Sequence, residues 1–201
     1  MWRQRNGHMG VRLGTPPTGV VVSSRPSHNP SDMLVWGRIG RRSIRLAGHD
    51  YRQPGAYFVT ICTNARAPRF GEIRSGMVRL NPTGLIAREL WMAIPRHFSH
   101  VRLDEFVIMP DHMHGILIFH ETPDDLPLPH LRCFGSAVPG SLSTVIGAYK
   151  AEVTKRTNAL RNTSGESVWQ RNFYEHVIRN SEVLHAIRMY IRDNPRRWLR
   201  E

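Results

Sequence analysis

One short segment constrains this chain more than any other: Val107-Ile108-Met109-Pro110-Asp111-His112-Met113-His114-Gly115-Ile116-Leu117-Ile118-Phe119. Two apolar runs are separated by Pro110-Asp111. Proline lacks the N–H that a central ladder needs, so the dipeptide reads as a turn between two strands. Side chains alternate along a strand, which puts His112 and His114 on one face. Their Cα atoms are then roughly 6.5–7 Å apart. Both imidazoles can converge on one ion or one phosphate, and Ile116 and Ile118 continue the same face as a dry surface. The pair reads as half of a metal site. With 11 histidines in the chain, a chance His-x-His at a strand start is the plainer alternative.

A chain of 201 residues suits one domain with a tail and can bury a core without disulfides. Cys62 and Cys133 lie far apart and form no Cys-x-x-Cys, which points to a reduced, intracellular protein. No apolar run approaches a membrane span, so no membrane association is expected. The net charge is +12 and arginine far outnumbers lysine. Such an excess points to a polyanionic partner, nucleic acid first.

Residues 1–42 are rich in Gly, Pro, Ser and Arg and read as a basic, disordered tail; Met33 offers a second start. A single domain is expected over residues 43–201. Tyr57 to Thr63 reads as a buried strand and Met77 to Leu80 as a short one, with a loop between them. Asn81-Pro82-Thr83 starts a helix whose apolar positions are Leu85, Ile86, Leu90, Trp91 and Ile94, and Pro95 is expected to end it. Leu103 to Met109 and the His-x-His strand follow.

After a connection over residues 121–140, the spacing predicts a helix from Ser141 to Leu160. Leu142, Val145, Ile146, Tyr149 and Val153 form its apolar face, and Lys150, Lys155, Arg156 and Arg161 lie elsewhere on it. Residues 169–180 are dense in aromatic and cationic groups. Trp169 could stack on unpaired bases while Arg171 and Arg179 meet phosphate; packing of Trp169 and Phe173 against a sheet is the structural alternative. Ser181 is expected to cap a final helix with Val183, Leu184, Ile187 and Ile191 buried. Tyr190 and Asn194 share a face at i and i+4. Pro195 is expected to stop that helix, before a basic end that includes Arg196 and Arg197. The order of elements argues for an α+β domain on an antiparallel sheet.

Pro110-Asp111-His112-Met113-His114-Gly115, the later Val168-Trp169-Gln170-Arg171-Asn172-Phe173-Tyr174-Glu175-His176-Val177-Ile178-Arg179-Asn180, and the terminal Tyr190-Ile191-Arg192-Asp193-Asn194-Pro195 together resemble the REP-associated tyrosine transposases. These belong to the single-tyrosine branch of the His-hydrophobic-His endonucleases. The resemblance spans roughly residues 43–198. It implies a ferredoxin-like sheet with helices packed mainly on one face. It implies a metal pair at His112 and His114, a nucleophile at Tyr190 and a third ligand at Asn194, where relatives carry glutamine. Tyr149 and Tyr174 lack the Tyr-x-x-x-Asn-Pro setting and rank below Tyr190.

The implied cofactor is magnesium or manganese, and the implied substrate is single-stranded DNA with a hairpin, of the repetitive extragenic palindrome type. The implied setting is the bacterial cytoplasm, at the nucleoid when DNA is bound. Lys150, Lys155, Arg156, Trp169, Arg171, Arg179, Arg196 and Arg197 are the candidate DNA contacts. Two other classes remain open: a non-catalytic binder of structured single strands, and a different metal hydrolase. The zincin and deaminase motifs are both absent from the sequence. Target sequence and oligomeric state stay open.

Overall fold

The structure, a computed structural model, describes residues 50–121 and 138–198. The expected tail at 1–42, the domain start near Ser43, Cys133 and most of the 121–140 connection lie outside the described residues. Six strands and three helices follow in order: β1 (Gly55–Cys62), β2 (Gly71–Arg74), β3 (Met77–Leu80), α1 (Pro82–His97), β4 (Val101–Ile108), β5 (His112–Phe119), α2 (Leu142–Arg161), β6 (Tyr174–Ile178) and α3 (Ser181–Arg197). The main sheet has the order β4-β5-β1-β6, antiparallel throughout. Counting only its strands, this is a βαββαβ ferredoxin-like arrangement, with α1 and α2 as the two crossovers. The fold class is α+β.

The β-branched and aromatic residues of β1 alternate between two buried clusters. Tyr57, Val59 and Ile61 join Met113, Leu117 and Phe119 of β5 against Trp91 of α1 and Val145, Ile146 and Tyr149 of α2. Phe58 and Ile116 face the other way, onto Ile187, Tyr190 and Ile191 of α3. Two helices thus cover one face of the sheet and α3 covers the opposite one. His112 and His114 share the parity of Ile116, so they lie on the α3 face. Gly115, on the face of Met113 and Leu117, makes room for α1: a Cβ there would stand 2.4 Å from Cζ2 of Trp91.

Several boundaries differ from the sequence expectation, each for a local reason. Residues 71–74 form β2, paired with β3 in a hairpin rather than a loop. Ser75 and Gly76 both take positive φ, 51° and 72°, which suits a tight hairpin turn. Pro95 lies within α1, and Pro195 within α3. Each falls in the last turn, where a missing N–H costs one hydrogen bond near an end that frays anyway. Asn180, not Ser181, caps α3: its Oδ1 accepts the Val183 N–H at 2.8 Å. Asn81 and Ser141 cap α1 and α2 as their sequence positions suggest.

In β4 an extra residue falls between Leu103 and Phe106, a bulge against β5. It turns Asp104 and Glu105 to α3, where Arg188 and Arg192 pair with them. Burial of Ile187 and Ile191 adds about 1.5–3 kcal/mol each. The helix carrying Tyr190 is therefore fixed by apolar packing and by two ion pairs.

Candidate active site

β5 opens on the two histidines. His112 and His114 are 6% and 4% exposed, and their Nε2 atoms are 3.0 Å apart. The far nitrogen of each ring is also held. His112 Nδ1 lies 2.6 Å from Asp111 Oδ1, and His114 Nδ1 lies 2.8 Å from the Thr60 hydroxyl. Arg66 Nε then meets the other oxygen of Asp111 at 2.8 Å. Phe58 stacks on the His114 ring, with centroids 5.4 Å apart. Burial above all, then the neighbouring His112 and Arg66, pushes the His114 imidazole well below the ordinary 6.5. At neutral pH it is uncharged and has a lone pair to offer.

From the other side, α3 brings Tyr190. Its hydroxyl lies 3.4 Å from His114 Nε2, and the two ring centroids are 5.2 Å apart. The Arg197 guanidinium sits 5.7 Å from the Tyr190 ring centroid, a cation–π position. Trp198 lies against His112, with ring centroids 5.9 Å apart. Asn194 is buried, one turn beyond Tyr190 on the same helix face.

The donor set can be compared with what a divalent ion needs. Two ligand bonds of about 2.1 Å at a right angle place their donor atoms about 3.0 Å apart. The observed Nε2 spacing has that value. An Nδ1–H donated from His112 to Asp111, and from His114 to Thr60, leaves both Nε2 lone pairs facing one point. This is the outer-shell pattern of metal-binding histidines. Among the described residues no group of three His, Cys, Asp or Glu converges, so acidic or further histidine ligands are not at hand. Two imidazole nitrogens at this spacing are a donor pair suited to a borderline divalent ion.

The remaining sequence candidates scatter. Trp169 does not present a stacking surface: it is 4% exposed, against Phe70 and Tyr149 at 4.9 and 5.8 Å between centroids. Its neighbours clamp it, since Gln170 N–H donates to the Cys62 carbonyl and Asn64 N–H to that of Val168. Lys150 directs its ammonium inward, donating to the Gln170, Arg171 and Asn172 carbonyls at 2.7, 3.0 and 3.4 Å. It fastens the segment before β6 rather than presenting a free cation. Burial pulls its pKa down to about 8.

Lys155 and Arg156 pair with Glu152, and Arg156 also with Glu89, on the helix across the sheet from Tyr190. Arg171, Arg179, Arg196 and Arg197 are exposed. Of the other tyrosines, Tyr149 is spent in the core, donating to the Ala87 carbonyl. Tyr174 stands opposite Thr60 in the sheet, nearer the histidines.

Sequence reasoning missed Thr60, Arg66 and Asp111. Asp111 carried a signal, because a carboxylate directly before a histidine can reach its ring. Thr60 is the one hydroxyl on an otherwise apolar strand face. Arg66 carried none, since its place depends on a turn that brings it back to Pro110-Asp111.

Fold and site together define a class: a ferredoxin-like α+β protein whose sheet and C-terminal helix enclose a buried His-His-Tyr cluster. The chain is 40% identical over 163 residues to a Haemophilus influenzae protein described as uncharacterized, covering 79% of this chain and 89% of that one, and it belongs to the same family. No protein-family model matches the chain. Among solved structures it is similar to a REP-associated tyrosine transposase bound to a REP hairpin, at 21% identity and a TM-score of 0.48, covering 76% of this chain and 73% of that one. It is similar also to a candidate transposase from Deinococcus radiodurans R1, at 14% identity and a TM-score of 0.41, covering 75% and 97%. Among the described residues no helix is long and apolar enough to cross a membrane.

Proposed function

We propose that the protein is a DNA transposase that cleaves and rejoins hairpin-containing single-stranded DNA through a phosphotyrosine on Tyr190. One observation carries the reading: a tyrosine hydroxyl lies 3.4 Å from a histidine nitrogen that faces a second at 3.0 Å. A nucleophile and a pair of metal-type donors thus meet in one buried place, from elements far apart in sequence.

His112 and His114 would hold a divalent ion, magnesium or manganese, with Asn194 supplying an amide oxygen. When bound, that ion polarises a non-bridging phosphate oxygen and offsets charge as the phosphorus is attacked. The protein's own groups do the rest. Asp111 and Thr60 fix the two rings and their tautomers. Packing and the ion pairs of α3 set the position of the phenol. The cation of Arg197 over the ring favours the phenolate as the proton leaves.

The chemistry balances without a further reactant. The Tyr190 Oη–P bond forms as a P–O bond of the strand breaks. The phenol proton passes to water and the leaving oxygen takes one up. Because a diester is exchanged for a diester, a free DNA hydroxyl can attack the phosphotyrosine and restore Tyr190. The exposed Arg171, Arg179, Arg196 and Arg197 are suited to strand phosphates, and the +12 charge to a polyanion at the bacterial nucleoid. The test is incubation with labelled hairpin-containing single strands and manganese, followed by denaturing electrophoresis. A labelled protein–DNA adduct supports the proposal; free cleaved DNA without an adduct contradicts it.

A further inference from the structure

The turn after β1 is unusual for its residues. Ala65 and Arg66 are consecutive, neither is glycine or asparagine, and both take φ of 55°. Left-handed conformations in such residues persist where the surroundings hold them, and they gather at functional sites. The surroundings here are well supplied. Thr63 N–H donates to the Asp111 carbonyl at 2.9 Å, and Phe70 N–H to that of Pro110 at 3.0 Å. The buried Thr63 hydroxyl lies 2.8 Å from the Ala67 carbonyl and 2.9 Å from that of Asp111. The turn is tied at both ends to the turn that precedes His112.

What this arrangement delivers is one guanidinium. Arg66 reaches Asp111 through Nε and the Cys62 sulfur through Nη1, at 2.8 and 3.1 Å. Its side chain remains 48% exposed, and Nη2 makes no hydrogen bond among the described residues. A guanidinium has five donors in a rigid plane, enough to bind one carboxylate and one phosphate at once. Half of the Arg66 side chain stays in solvent although the carboxylate it meets is buried.

We infer that Arg66 is a phosphate-binding residue of the substrate site, anchored by Asp111 beside the histidine pair and offering its remaining N–H groups to the DNA strand. The inference rests on the reading of the protein as a single-strand DNA enzyme. It assigns the position of the strand relative to the histidines: one phosphate lies on Arg66, one carboxylate away from His112. It also gives Asp111 two tasks, orienting His112 and placing the arginine.

The experiment is fluorescence anisotropy with a labelled hairpin-containing single strand, in chelator without added metal, over a series of salt concentrations. The full chain is compared with Arg66→Gln and Arg66→Lys. A single-strand phosphate contact contributes about 0.7 to the slope of log affinity against log salt. Arg66→Gln is expected to lower the slope by about that amount and to weaken binding severalfold, and Arg66→Lys to restore most of the slope. Circular dichroism on each variant confirms folding, and the lysine variant keeps the test open if glutamine does not fold. An unchanged slope in a folded Arg66→Gln protein overturns the inference, and leaves Arg66 a structural partner of Asp111. Covalent-adduct formation, measured separately, reports on the cleavage reading: normal salt behaviour without any adduct contradicts cleavage and spares Arg66. No binding of the wild-type chain to the strand contradicts both.

Discussion

Arg188 of α3 forks onto Asp104 in the β4 bulge, with Nε and Nη2 at 2.8 and 2.6 Å from the two carboxylate oxygens. Tyr190 lies two residues further along the same helix. The bulge, an irregularity in an edge strand, therefore helps anchor the helix that carries the phenol. Edge-strand bulges commonly re-aim side chains near a site.

Breaking this fork should loosen the helix. Asp104→Asn keeps shape but removes charge, and its expected cost is about 1 kcal/mol at pH 7, discounted because Arg188 is about a third exposed. Chiefly the Arg188 hydrogen bond holds the Asp104 carboxyl below its ordinary 3.8. A depressed carboxyl stabilises the fold above its unfolded pKa, and that contribution fades as pH falls through the lower folded value. Urea titrations of the two proteins should therefore differ at pH 7 and converge below pH 3.8. A gap that persists in acid would mean the ion pair is not its source.

Trp169 separates a core role from a base-stacking role. Its replacement by alanine should cost about 3–5 kcal/mol of stability, seen as a lower urea midpoint. DNA affinity of the folded protein should hardly change. A stacking tryptophan would show the reverse, an affinity loss of about 1–3 kcal/mol with little effect on folding.

Gly115→Ala places a methyl group into the Trp91 ring. Overpacking of this kind costs about 1–3 kcal/mol. Thermal denaturation should show a lower Tm for Gly115→Ala, and Trp91→Leu in the same chain should recover part of it. Simple additivity of the two losses would show that the residues are not in contact.

Much of this was legible in the residues. The parity of β5 put His112 and His114 on one face, and helical spacing put Tyr190 beside Asn194. What joined the two sets was not: nothing local says that α3 crosses the sheet on the face of Phe58 and Ile116. The aromatic and cationic segment around Trp169 suited bases or a core, because aromatic rings serve both. Lys150 and Arg66 show a related limit. Both are cations in a basic chain, yet one turns inward onto carbonyls and the other onto a carboxylate. Only the tertiary path of residues 63–70 and 168–172 decides that. Prolines misled at helix ends, since a missing N–H matters little in a last turn.

The histidine pair can be tested without catalysis. Manganese should raise the Tm of the wild-type chain, and His112→Ala or His114→Ala should remove that rise. Asp111→Asn, which weakens the hold on His112, should reduce manganese affinity about 10–100-fold. An equal manganese response in all four proteins would place the ion elsewhere.

Tyr190 decides the account. Phenylalanine there keeps the ring that packs on Phe58 and His114 and removes only the hydroxyl. Folding and DNA affinity should survive that change. The direct measurement is denaturing electrophoresis of wild type and Tyr190→Phe after incubation with labelled hairpin-containing single-stranded DNA and manganese. The account predicts a labelled covalent band for the wild type and none for the variant. A covalent band of undiminished strength from Tyr190→Phe would contradict it, and would turn attention to Tyr174, across the strand from Thr60.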